Sequence, residues 1–211
     1  MDFLTRCSEE SNTFLSHVVT GAETWVSYAT PESKQQSMEW RHTSSPTKTK
    51  FKQTPSTRKI MCTVFWDGKG VLLVEFLPQG STFNAGVSCD TLKKLRRTIQ
   101  NKRRGMRSRG VVMIHDNALA HTAAATQNLI AFDWEQVDHL PYSSDLAPSD
   151  FHLFLNLKSF FAGWRFHDDE VKEAVTTCFA SQAASFYGEG IQKLMQCYGR
   201  CLNNGGNYVE K

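Results

Sequence analysis

Three short polar stretches interrupt apolar runs: TGAET at 20–24, HDN at 115–117 and APSD at 147–150. Asp116 follows directly on the apolar run VVMI, and Asp150 opens the segment DFHLFLNLKSFFA. Two carboxylates delivered by separate elements suit Mg²⁺ (or Mn²⁺), because such a hard ion takes oxygen ligands and keeps waters or phosphate oxygens in its shell. A pair of these ions can clamp the attacking and leaving oxygens of a phosphoryl transfer. The same aspartates would serve equally as helix caps, and spacing alone does not separate the two uses. His115, His121 and His152 add further donors, although packing or hydrogen bonding accounts for each of them as simply. Within HVVTGAETWVSYA (17–29), Ala22 stands in the polar block where a charged residue would make more chemical sense.

A second feature is charge. The net charge of +3 is mild, but residues 93–109 (KKLRRTIQNKRRGMRSR) hold nine basic residues and no acid. Lys93, Lys94, Arg96, Arg97, Lys102, Arg103, Arg104, Arg107 and Arg109 form either a solvated face or a phosphate-contacting surface. So dense a run of one sign favours the second, since an anionic partner offsets its self-repulsion. Six cysteines without a Cys-x-x-Cys pair predict reduced structural thiols rather than a zinc site. The N-terminus MDFLTRCSEESNTF lacks the pattern of a secretory signal, and no apolar run approaches the roughly 20 residues that cross a bilayer. The expectation is a folded intracellular chain with no membrane partner.

The elements that must position these groups follow from pattern. The β-branched and aromatic run at 17–29 predicts a strand, and residues 31–57 a long connection. IMCTVFW and VLLVEFL flank the turn DGKG and predict an antiparallel hairpin. Residues 88–104 read as a helix, 111–114 as a strand covered on both faces, 121–131 as a helix and 134–140 as a short strand. The segment from Asp150 is apolar nearly all round and predicts a helix packed between the sheet and two amphipathic C-terminal helices. Residues 3–17 show no clear period. The order predicts an α/β fold, a mixed β-sheet flanked by α-helices, in one domain over 1–211.

FLSHVVTGAETW, PESKQQSMEWRH, VVMIHDNALAHTA, YSSDLAPSDFHLF and CLNNGGNYVE together resemble, in order, the catalytic domain of mariner transposases. The resemblance implies a ribonuclease H-like fold, an aspartate triad, two Mg²⁺ or Mn²⁺ ions, and cut-and-paste movement of DNA, with a homodimer as a further partner and the nucleus as the compartment. The second and third aspartates of that triad fall on Asp116 and Asp150, so both are catalytic and metal-binding candidates. The first falls on Ala22, which offers no ligand. Glu23 is expected to aim away from the site, because successive strand side chains point to opposite faces. The interval between Asp116 and Asp150 is one residue shorter than in the mariner subgroup. Ser144 and Ala120 replace prolines of the pattern and loosen the loops framing the site. The family's N-terminal helix-turn-helix units have no counterpart in 1–211. The resulting expectation is a catalytic domain impaired in cleavage that touches DNA through 93–109, with a non-catalytic dimerisation or chromatin module, or a weak metal-dependent nuclease, as alternatives.

Overall fold

The central strand, β1 (Val18–Ser27), runs through the position of the missing charge. In the computed structural model, which describes residues 3–205 apart from 11, 39–41, 43, 47–57, 117, 138, 141–142 and 168, it pairs antiparallel with β2 (Lys59–Asp67) and parallel with β4 (Val112–Ile114). The side chains of 8, 10, 12, 107–109, 119 and 132–133 also lie outside this description. β3 (Gly70–Phe76) extends the sheet beyond β2, and β5 (Glu135–Gln136) beyond β4, giving the order β3-β2-β1-β4-β5. The hairpin is closed by Asp67, whose Oδ1 accepts from the Lys69 amide at 2.8 Å. Gly21 faces Phe65 directly across the β1–β2 pair, and a Cβ there would lie 2.2 Å from the Phe65 ring, so only glycine lets that ring cover the strand.

Alternation along the strands divides the core in two. Val18, Ala22, Val64, Trp66 and Ile114 lie in one cluster with α1 (Phe3–Glu10), α2 (Asn12–Leu15), α7 (Phe154–Phe161), α8 (Glu170–Ala180) and α9 (Ala184–Asn203). Val19, Phe65, Leu72 and Met113 lie in the other, with α3 (Ala85–Lys102), α4 (Arg104–Arg109) and α6 (Ala124–Asp133). This mixed sheet with helices on both faces is the ribonuclease H-like arrangement.

The structure departs from the sequence pattern in four places. Residues 3–10 and 12–15 are helical, with Phe3, Cys7 and Phe14 buried and Phe3 stacked 4.5 Å from Tyr198 of α9. That face is set by a partner remote in sequence. The expected helix at 121–131 is split into α5 (Leu119–Thr122) and α6 by extended Ala123. The strand expected over 134–140 shrinks to two residues. The helix from Asp150 opens with a π-helical turn (Ser149–Leu153) before α7, and Leu155 and Phe160 of α7 are exposed, so it is apolar all round without being buried all round. Part of the 31–57 connection lies outside the described residues.

Candidate metal centre

β4 carries the chain to the site. Val112–Ile114 are buried, and the next two residues turn out of the sheet. His115 is buried, with Nδ1 2.7 Å from the Asp116 carbonyl oxygen, and burial holds its imidazole below the ordinary value. Asp116 Oδ1 accepts from the Ala118 amide at 3.0 Å, a local turn ahead of α5 rather than its cap, while half of the side chain stays at the surface.

α5 then returns His121 to the sheet. Its buried ring places Nε2 3.2 Å from Glu23 Oε2 and 3.7 Å from Asp116 Oδ1, and Nδ1 3.3 Å from the Oγ of buried Ser88 on α3. Ligand atoms of Glu23, Asp116 and His121 lie within 4.8 Å of one another. Burial alone would lower the His121 pKa, but the hydrogen bond to Glu23 and the charges of Glu23 and Asp116 outweigh it and raise it. A raised histidine pKa contributes stability that is full below the unfolded value of about 6.5 and is lost as pH rises through the folded value. In EDTA, His121→Asn is therefore expected to lower the melting temperature more at about pH 5.5 than at about pH 9. Equal losses at both would show that packing, not charge, holds the ring.

Asp150 sits exposed on the π-helical turn. Partial desolvation, then the negative charge of Asp116, push its carboxyl above the ordinary range, while Lys158 and His139 pull the other way. The turn is fixed from below: Ser149 is fully buried and accepts from Trp66 Nε1 at 3.0 Å. His139 is buried near Asp116, Asp150 and Asp145. His152 faces elsewhere, with Nε2 2.8 Å from the Phe186 carbonyl oxygen and its ring stacked 4.2 Å from Phe186, a packing role.

Position 22 decides what this arrangement can hold. Ala22 lies in the same cluster as Leu153 and Phe154 of the Asp150 segment, and its methyl carries no donor. Two ions shared among three carboxylates do not fit the residues present. Glu23 departs from its expectation in part. It does leave the Ala22 face, but Asp116 stands beyond the end of β4, where the longer glutamate reaches toward it.

The family model described as "Transposase (partial DDE domain)" matches residues 30–109. The chain is 35% identical over 201 residues to the Mariner Mos1 transposase of Drosophila mauritiana, covering 93% of this chain and 57% of that protein. The crystal structure of the catalytic domain of Mos1 mariner transposase superposes with a TM-score of 0.79 at 33% identity, covering 98% of this chain and 90% of that one. The chain belongs to the mariner transposase family. The Mos1 paired end complex solved with Mg is similar as well, with a TM-score of 0.88, 35% identity, and 98% of this chain and 60% of that chain covered. The chain thus spans a little over half the length of the curated mariner relative.

In this mariner domain the basic run divides by partner. Arg103 bonds through Nε to Asp67 Oδ2 at 2.6 Å and through Nη2 to Asp67 Oδ1 at 3.2 Å. Asp67 is almost fully buried, so that fork has a structural task. Lys94 pairs with Glu75, Lys93 with Asp90 at 3.0 Å, and Lys102 donates to the Leu72 carbonyl at 3.4 Å. Arg97 and Arg104 are exposed and Arg96 is half-buried. The side chains of Arg107 and Arg109 lie outside the described residues. Arg103→Ala leaves a buried carboxylate uncompensated and is expected to cost about 3–5 kcal/mol of unfolding free energy, read by denaturant titration. A loss near zero would return Arg103 to the solvent-facing set.

The sequence carries no local sign of the Ser88 or Trp66–Ser149 contacts, and it presents Glu23 only as an acid expected to aim away from the site. Those two contacts join residues 33 and 83 positions apart.

Proposed function

We propose that this chain is a mariner-type transposase catalytic domain that keeps the fold and DNA contact and has lost most or all strand cleavage. The observation that carries the reading is Ala22, which has no donor atom, at the position that the family resemblance assigns to the first ligand of an otherwise matching domain. With no ligand at 22, the two-ion chemistry by which such a centre stabilises a phosphoryl transfer has no complete holder. Mg²⁺ or Mn²⁺ binding at Asp116 and Asp150 is correspondingly weakened. Its partner is duplex DNA, gripped through the backbone by Arg97, Arg104 and their neighbours, its assembly is a homodimer, and its place of action is the nucleus. Among the described residues no helix is long and apolar enough to cross a membrane.

DNA binding is tested by fluorescence anisotropy across salt concentrations. Affinity is expected to be independent of sequence, and Arg97→Ala with Arg104→Ala should reduce the slope of log K against log salt by about 1 per residue removed. An unchanged slope would place the DNA elsewhere. Cleavage is tested with supercoiled plasmid in Mn²⁺, where the unaltered chain is expected to leave the substrate intact. A second reading, weak nicking with Glu23 standing in for the lost ligand, draws on the closeness of Glu23 to Asp116. It requires nicking by the unaltered chain that Glu23→Gln removes.

A further inference from the structure

We propose that Glu23, Asp116 and His121 form a metal site of their own, which takes a first-row divalent ion such as Zn²⁺ or Mn²⁺ through two carboxylate oxygens and one imidazole nitrogen. The donor geometry is close to what an ion requires. Ligands about 2.1 Å from a metal stand about 3.0–3.4 Å apart in octahedral or tetrahedral arrangements. Here Nε2 of His121 is 3.2 Å from Glu23 and 3.7 Å from Asp116, and the whole set fits within 4.8 Å. A contraction of a few tenths of an ångström around His121, with a larger movement of the half-exposed Asp116, closes the set.

Two further observations point to a ligand. Glu23 Oε1 is buried and has no hydrogen-bond partner among the described residues, an arrangement that costs free energy unless a cation or donor arrives. The other nitrogen of His121 lies against Ser88, which is only 2% exposed. The Ser88 hydroxyl can accept from Nδ1–H, and in that tautomer Nε2 is presented to a metal with an outer oxygen behind it, the usual support of a ligating histidine. Ser88 belongs to α3 and Glu23 to β1, so the support comes from the fold and not from a neighbouring residue in the chain.

The site shares Asp116 with the Asp116–Asp150 pair and differs from it in its other ligands and in the face of β1 that supplies them. An imidazole donor suits Zn²⁺ and its first-row neighbours, whereas an all-oxygen set suits Mg²⁺. Glu23 lies on the face of β1 opposite Ala22 and the Asp150 turn, and Asp150 is no part of it. The exposed half of Asp116 leaves one side open for water or a phosphate oxygen. The proposal is independent of strand cleavage, so nicking assays do not bear on it.

The test is calorimetric titration of the full chain with Zn²⁺, with Mg²⁺ as the contrast. One site per chain is expected, binding Zn²⁺ at least a hundredfold more tightly than Mg²⁺. Glu23→Gln and His121→Asn should each weaken Zn²⁺ at least tenfold and Ser88→Ala about tenfold, while Asp150→Asn changes it less than about twofold. Losses in Asp150→Asn equal to those in Glu23→Gln, or unaltered binding in Glu23→Gln and His121→Asn, would overturn the assignment, as would no binding at all. Because a variant at a buried position can fail to fold, pulsed electron paramagnetic resonance of Mn²⁺ on the unaltered protein gives the second reading. Nitrogen modulation from a coordinated imidazole is expected, and its absence overturns the site.

Discussion

Ala22→Asp is expected to convert a chain that leaves supercoiled plasmid intact into one that nicks it in Mn²⁺, with a gain of at least about a hundredfold, the order that correct placement of a single catalytic group commands. The parallel register between β1 and β4 pairs Thr20 with Ile114, so position 22 lies two residues past the last pair, and Asp116 two residues past the end of β4. Position 22 also shares its cluster with Leu153, which ends the turn bearing Asp150, and with Phe154, which begins α7. An aspartate at 22 would therefore add a carboxylate on the face of β1 that packs against the Asp150 segment. Its installation has a cost, since Ala22 is only 9% exposed and the new carboxylate would join two others. The melting temperature of Ala22→Asp should fall in EDTA and recover on adding Mg²⁺, whereas that of the unaltered chain should move little under the same exchange of EDTA for Mg²⁺. Asp116→Ala in the Ala22→Asp background should abolish nicking. If the unaltered chain nicks and Asp116→Ala removes that activity, the impaired assignment fails. Should no variant nick, Ala22 is not the sole lesion, and the shortened interval before Asp150 becomes the next position to restore.

The parts of this architecture visible in the sequence are those whose signal is local. The β2–β3 hairpin is written in two apolar runs around DGKG, and β4 in VVMI, because strand alternation and turn chemistry act over a few residues. α3 begins close to its expected start because Asn84 accepts from the Val87 amide at 3.0 Å, a cap of ordinary form. What was not legible depends on distant partners. α1 is helical because Phe3 and Cys7 find α9 and the sheet, contacts that no window around residue 5 contains. The π-helical turn under Asp150 rests on Ser149 meeting Trp66. Glu23 illustrates the limit most directly. The period of two in a strand correctly assigns it to the face opposite Ala22, yet it cannot report that α5 brings His121 to that face or that Asp116 lies within reach of both.

Trp66→Ala is expected to be the most destabilising single change at the site, at about 3–5 kcal/mol from lost burial and the cavity left behind. Trp66 is fully buried, with its ring 5.7 Å from Tyr187 and 6.4 Å from His152. α9 comes so close that a Cβ on Gly190 would lie 2.8 Å from the indole and 2.5 Å from the His152 ring, so glycine is what permits the approach. Trp66→Phe separates packing from hydrogen bonding, because it keeps most of the ring and removes the N–H, leaving the buried Ser149 hydroxyl without its donor. That change should cost about 1–3 kcal/mol, and Ser149→Ala added to it should cost little more, giving a coupling of about 0.5–3 kcal/mol in the double-mutant cycle. The functional arm uses the Ala22→Asp background. If the Trp66–Ser149 bond sets where the π-helical turn holds Asp150, then Trp66→Phe should cut nicking by ten- to a hundredfold, roughly the effect of a displacement approaching 1 Å, while most of the protein stays folded. Nicking at the Ala22→Asp rate, alongside the expected loss of stability, would show that Asp150 is placed by α7 and its packing rather than by that bond.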